Sequence, residues 1–316
     1  MCIRLKNLHC VIICLLSMMC LDGAVFGANQ DGATDLGVDY AFMFLMTLSP
    51  DFAAANYTIQ NKGGPDVDIA IGRLPYHIDL VQKADYRMQL EVAAAYQRTE
   101  EIIPTFPDPG ENIDARWNTY GAGVGLLYEY NVSNHLRFTP SMRAGIAKME
   151  NRASYNGAQT NLIKDLYEGT LFNWKTNASV YNLGLGLSYD WTLLDRASSV
   201  KADVYHVIVD SFNESDSAVT FIEHANMLAL KADMIFPTNL VINEQRLDFV
   251  LLLGANNFFG ENRRTLGYTS SYQAGMGGEL PLKWRQTMFG YIRLSCQVLW
   301  ADNMKGWMFT IGYNPK

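Results

Sequence analysis

Residues 118–150, "NTYGAGVGLLYEYNVSNHLRFTPSMRAGIAKME", carry a period of two. One alternate set is Tyr120, Ala122, Val124, Leu126, Tyr128 and Tyr130, and the other is Thr119, Gly121, Gly123, Gly125, Leu127 and Glu129. After a polar turn the pattern resumes, with Leu136, Phe138, Met142, Ala144 and Ile146 set against Arg137, Thr139, Ser141, Arg143 and Gly145. Successive side chains of a strand point to opposite faces, so each run is a strand with one apolar face. Aromatics stand at the ends of that face, and glycines lie on the other.

The same alternation recurs along the chain. It predicts about twelve strands, near 52–60, 67–74, 85–98, 115–130, 136–149, 177–191, 199–210, 224–236, 246–258, 268–282, 289–300 and 305–313. A soluble sandwich also alternates. Three features favour a membrane barrel. Tyr and Trp flank the apolar faces: Tyr120 against Tyr128 and Tyr130, Trp191, Trp300, and Trp307 and Phe309 through to Tyr313. Such residues straddle water and lipid at a bilayer interface. Long connections follow every second strand and short turns follow the others, the loop asymmetry of outer-membrane barrels. Charges on the polar face are opposite in sign across hairpins. A turn centred near residue 217 sets Lys201 against Asp233 and Asp203 against Lys231, and one near 133 sets Glu129 against Arg137.

The expected fold is therefore an all-β, transmembrane antiparallel β-barrel of outer-membrane type, with about twelve strands. The apolar face meets lipid, and the inward glycines free room in the lumen for water, a solute or a plug. Only helices and closed barrels satisfy their backbone in a bilayer, and no run of about 18 apolar residues follows residue 30.

The first 27 residues read as a secretory signal peptide. Arg4 and Lys6 precede the apolar "VIICLLSMMCL", and "AVFGA" offers small residues for cleavage. Cys2, Cys10, Cys14 and Cys20 lie in that segment, so Cys296 alone would remain and no internal disulfide is available. Residues 28–51 form a separate N-terminal segment that fits a lumen helix or an extra strand equally well, and 52–316 form the barrel. The net charge of −7 is mildly acidic and gives no support to nucleic-acid binding.

The lumen of the predicted barrel carries Lys201, Asp203, Lys231, Asp233, Arg246 and Asp248, with Glu129 and Arg137. One-sign rings filter ions. The alternating signs here favour a brace for the wall over a filter. His77 and His135 fall at predicted periplasmic turns and His206 on the lipid face, and none has the spacing of a metal site. Ser270, Ser271, His224, Asp210 and Asp216 gather near the outer rim, but no motif joins them, so no catalytic residues, cofactor or metal are expected. Cys296 reads as a small apolar residue on the lipid face.

Three patterns carry a resemblance: the twelve strands, "LSPDFAAANYTI" leading into "RLPY", and the Gly-aromatic strands at 117–130 and 177–191. From about residue 40 to the end, the chain resembles the solitary outer-membrane autotransporter barrel family, a translocator barrel without a passenger domain. Between the signal and the barrel only residues 28–51 intervene. The resemblance implies a twelve-stranded barrel in the outer membrane of a Gram-negative bacterium, with no established activity. It also implies contact with outer-membrane lipid. "GWMFTIGY" resembles the C-terminal signal read by the barrel-assembly machinery, although Asn314, Pro315 and Lys316 follow it. A monomer without nucleic-acid partners is expected. Two other readings stay open: a narrow porin-like channel, and an enzyme or surface-binding barrel acting through its long loops.

Overall fold

The computed structural model describes residues 52–60, 65–108, 110–193, 196–259, 269–281 and 289–315. The proposed signal peptide and the segment 28–51 lie outside the described residues. Twelve antiparallel strands close into one barrel, each paired with its neighbours in sequence and β1 with β12. They are β1 (Phe52–Ile59), β2 (Val67–Gln82), β3 (Tyr86–Pro104), β4 (Asn112–Asn131), β5 (Leu136–Asn156) and β6 (Lys175–Leu193). The remainder are β7 (Arg196–Phe212), β8 (Ile222–Ile242), β9 (Gln245–Phe259), β10 (Ser270–Pro281), β11 (Phe289–Trp300) and β12 (Met304–Pro315). Each predicted strand has its counterpart.

Boundaries differ where the sequence mixes strand residues with turn formers. β2 runs through Pro75 to Gln82, eight residues beyond the predicted end at 74. Its outward Leu74, Tyr76, Ile78 and Leu80 are all exposed, so the alternation simply continues. At the opposite end β3 to β6 outgrow their predictions. β4 has 20 residues, about twice the 9–11 that cross a bilayer, so these strands project as a sheet beyond the membrane. By the loop-length rule this projecting end is extracellular. Between β5 and β6 stand two short helices, α1 (Ala158–Leu162) and α2 (Lys164–Tyr167).

The outer wall carries apolar side chains between two aromatic levels. Toward the short turns Tyr86 stacks on Tyr128 at 5.5 Å and Tyr189 on Trp191 at 5.8 Å, with Tyr130 exposed beside them. Toward the long loops Tyr96 meets Tyr120 at 5.1 Å and Tyr272 stacks on Trp300 at 6.0 Å. Trp307 and Phe309 are exposed on β12, and Tyr313 pairs through its backbone with Ile292. Cys296 also lies on this wall.

Candidate functional site

Inside, the barrel has two tiers. The membrane-embedded and periplasmic tier is ionic. Glu91, 1% exposed, accepts hydrogen bonds from Arg73 Nη2 at 2.7 Å and Arg143 Nε at 2.9 Å. His77 Nε2 lies 3.1 Å from its second oxygen. Arg143 also donates to Ser141 Oγ at 3.1 Å and Asn182 Oδ1 at 3.2 Å. Glu91 and Arg143 sit on β3 and β5, and both register with Gly125 on the intervening β4. A Cβ on Gly125 would come within 2.7 Å of Arg143 Cγ. Glycine therefore lets the guanidinium lie flat over β4 and reach the carboxylate. At Gly186 a Cβ would come within 2.6 Å of Asp203 Oδ1. The room left by these inward glycines is filled by side chains of neighbouring strands, so it is not left open for solute.

Further ion pairs follow the same plan. Arg293 holds Asp233 through Nη1 at 2.6 Å and Glu279 through Nη2 at 2.6 Å, tying β8, β10 and β11 together. Asp233 also accepts from Ser199. Arg137 reaches Asp190 at 2.9 Å and Glu129 at 3.7 Å, and Arg87 grips Asp79 at 2.6 and 2.7 Å. Lys201 pairs with Asp203 at 3.1 Å and Arg246 with Asp248 at 2.8 Å. Glu91 takes two guanidiniums and Arg293 takes two carboxylates, so the signs interlock and form no single-sign ring.

The structure corrects the predicted pairings. Lys201 faces Lys231, Asp203 faces Ala229, and Asp233 faces Ser199. The β7–β8 hairpin is centred one residue earlier than predicted, which slides the register by two and keeps every side chain on its face. Lys201 therefore takes its acid from its own strand, and Asp233 takes Arg293. Arg137 likewise faces Asn131 and reaches Glu129 diagonally. His77 is not at a turn: the extension of β2 carries it onto Glu91. Glu91, Arg73, Arg143, Arg293 and Glu279 are site residues that sequence reading missed.

The extracellular tier is built round an apolar cluster, with Gln97, Thr99, Thr119 and Glu223 buried in the same wall. Tyr57, Ile69, Ile71, Met149, Val207, Val209, Met227, Phe258, Leu299 and Met304 form one buried cluster, joined from the loops by Trp174, Val219 and Phe221. Asn173, at φ 58°, turns the chain back into the barrel. Its backbone N–H donates to Asn151 Oδ1 at 2.8 Å, and its own Oδ1 accepts from Ala153 N–H at 2.8 Å. That turn delivers Trp174, 1% exposed, into the lumen. Ser211 Oγ accepts the Phe221 N–H at 2.8 Å and places the second plug residue. Glu111 fastens the β3–β4 loop to α1, accepting from Thr160 N–H at 2.6 Å and Thr160 Oγ1 at 2.8 Å. The Thr160 N–H beside it holds the Glu111 carboxyl below the usual carboxylate range. Between the tiers lies a cavity of about 70 Å³, bounded by Arg73, Asp203, Tyr205 and Lys231 below and Ile71, Met227 and Leu299 above.

The rim residues considered for catalysis do not converge. Ser271 is buried and accepts from Asn256 Nδ2 at 3.3 Å. Ser270 accepts from Asn257 Nδ2 at 3.0 Å. His224 is on the outer wall, stacked on His206 at 5.6 Å, so the barrel wall separates it from Ser271. Asp210 is exposed and faces outward, and Asp216 lies in the β7–β8 loop. Among the described residues no group of three His, Cys, Asp or Glu is placed to hold a metal ion.

A closed barrel with a lipid-facing apolar wall and a braced ionic lumen defines a barrel of the outer-membrane type. Its fold is similar to three solved translocator domains. The translocator domain of autotransporter NalP from Neisseria meningitidis superposes with a TM-score of 0.59 at 10% identity, covering 89% of this chain and 94% of that one. The β domain of the Bordetella autotransporter BrkA gives 0.53 at 11%, covering 84% and 98%. The transport unit of AIDA-I from Escherichia coli gives 0.53 at 11%, covering 90% and 98%. No curated protein matches the chain. The chain belongs to the solitary outer membrane autotransporter β-barrel domain family, whose model matches residues 66–314.

Proposed function

We propose that this translocator-type barrel rests closed: a membrane-anchored, non-catalytic scaffold whose lumen passes no solute until its extracellular tier rearranges. The carrying observation is the apolar packing of Trp174, Val207, Phe221 and Met304 across the outer end of the lumen. Water and ions cross apolar constrictions poorly because they leave their hydration behind. The interlocked ion pairs below support a brace over a filter. Outer-membrane lipid and the barrel-assembly machinery are the proposed partners, and a monomer is the proposed state. The test is solute uptake by liposomes containing the refolded protein. The expected result is swelling in small sugars no faster than in empty liposomes, and rapid swelling would overturn the closed state.

A further inference from the structure

We propose that the outer wall of β3–β6, just beyond the extracellular aromatic level, binds the phosphates of an outer-leaflet glycolipid. The inference rests on the reading of this end as extracellular. Outward positions beyond Tyr96 on β3 and Tyr120 on β4 keep the outward parity but change from mainly apolar to charged, with bases in excess of acids. Arg98, Arg116, Lys148, Arg152 and Lys175 follow on four neighbouring strands. Outward positions at this end of β8–β10 hold Ile222, His224, Asn226, Asn257, Phe259 and Ser270, with no Lys or Arg among the described residues. On β12 the same end carries Lys305, and the bases are concentrated on β3–β6.

The acids within the patch position the guanidiniums and take up only part of their donors. Glu100 Oε1 accepts from Arg98 Nη2 at 2.5 Å and Arg116 Nε at 2.6 Å, so two cations share one carboxylate. Arg152 leans on Glu150 at 3.2 Å. Lys148 and Lys175 are exposed and hold no ion pair among the described residues. Asp68, occupied by Thr58 Oγ1 at 2.6 Å, bounds the patch on the β2 side, and the exposed Asp114 marks its outer edge. Each guanidinium has five N–H donors, so those of Arg116 beyond Nε remain for a ligand. Forked donors match phosphate oxygens, and Lys adds point charge. At this height, acyl chains lying on the apolar wall bring their headgroup phosphates level with the patch, where each Lys or Arg near an anionic lipid surface adds attraction.

The test titrates the refolded full-length protein in detergent with a diphosphorylated acyl-disaccharide lipid and with its dephosphorylated form, reading bound lipid by native mass spectrometry. The phosphorylated form is expected to bind at least about ten-fold more tightly. Arg98→Gln/Arg116→Gln/Lys148→Gln/Lys175→Gln is expected to remove that preference, and Lys305→Gln on β12 to leave it intact. Should the fourfold variant fail to fold, Lys148→Gln/Lys175→Gln disturbs no ion pair and is expected to weaken the preference about three-fold. Equal binding of the two lipids by the intact protein would overturn the site, as would a preference that survives the variants. Full displacement of the lipid by millimolar inorganic phosphate would assign the patch to free phosphate and also overturn it. Heat-dependent gel mobility on each sample separates the two levels. Its absence in the intact protein removes the barrel reading, and its presence without lipid preference removes only the lipid site.

Discussion

Gly125 shows how much of this lumen depends on a single missing atom. A side chain there meets Arg143 Cγ, and Arg143 is what links β5 to Glu91 across β4. Gly125→Val is expected to displace the guanidinium and lower the temperature at which the folded gel band is lost. Glu91→Gln should be costlier still, because it leaves two guanidiniums facing a neutral amide in a closed space. Removing one partner of a buried pair costs roughly 3–5 kcal/mol, readable as a shifted urea midpoint in lipid vesicles. Glu91→Gln behaving like the parent would show that the brace does not carry stability. Glu111 gives a pH dependence. Its carboxyl titrates below its unfolded value, so the loop latch is at full strength above the ordinary Glu value of about 4.3. The latch is lost as pH falls through the lowered value. Hydrogen exchange at residues 158–162 should therefore accelerate on acidification beyond its intrinsic trend, and Glu111→Gln should abolish that dependence.

At the scale of elements, the strands were legible because alternation is strict and the outer wall is uniformly apolar. Register was not. It depends on where a turn is centred, and moving the β7–β8 centre by one residue changes every partner while leaving the faces intact. The Glu91–Arg143 bridge was hidden for the same reason, since it needs two registers and a glycine between them. The apolar stopper did leave a signal. In "VYHVIV", residues 204–209, and "ANMLAL", residues 225–230, apolar residues occupy both faces. A strand apolar on both faces is shielded from water on both, which matches the buried Val207, Val209, Ala225 and Met227 on the lumen side. What sequence could not give is Trp174, which a left-handed Asn173 turns inward from an 18-residue connection. Trp174→Ala is expected to cost about 3–5 kcal/mol and to speed proteolysis within 157–173. Deleting 158–170 should leave heat-dependent mobility intact, because the β5–β6 ladder continues to Glu150 and Lys175 without that loop. Loss of the folded band in that deletion would show that the loop is needed to close the barrel.

For the whole molecule, the two tiers divide the labour. The ionic tier ties strands that are far apart in sequence, as Arg293 does between β8 and β10, and the apolar tier shuts the end that faces the outside. Family membership explains the barrel, and the packing within it is the ground for proposing that its lumen rests closed. The most direct measurement is single-channel recording of the refolded protein in a planar bilayer, on a preparation whose heat-dependent mobility shows it folded. No conductance steps are expected from the intact protein, and steps are expected once Trp174→Ala and Phe221→Ala remove the loop-borne part of the stopper. Regular steps from the intact protein would contradict the closed state and make the barrel an open channel.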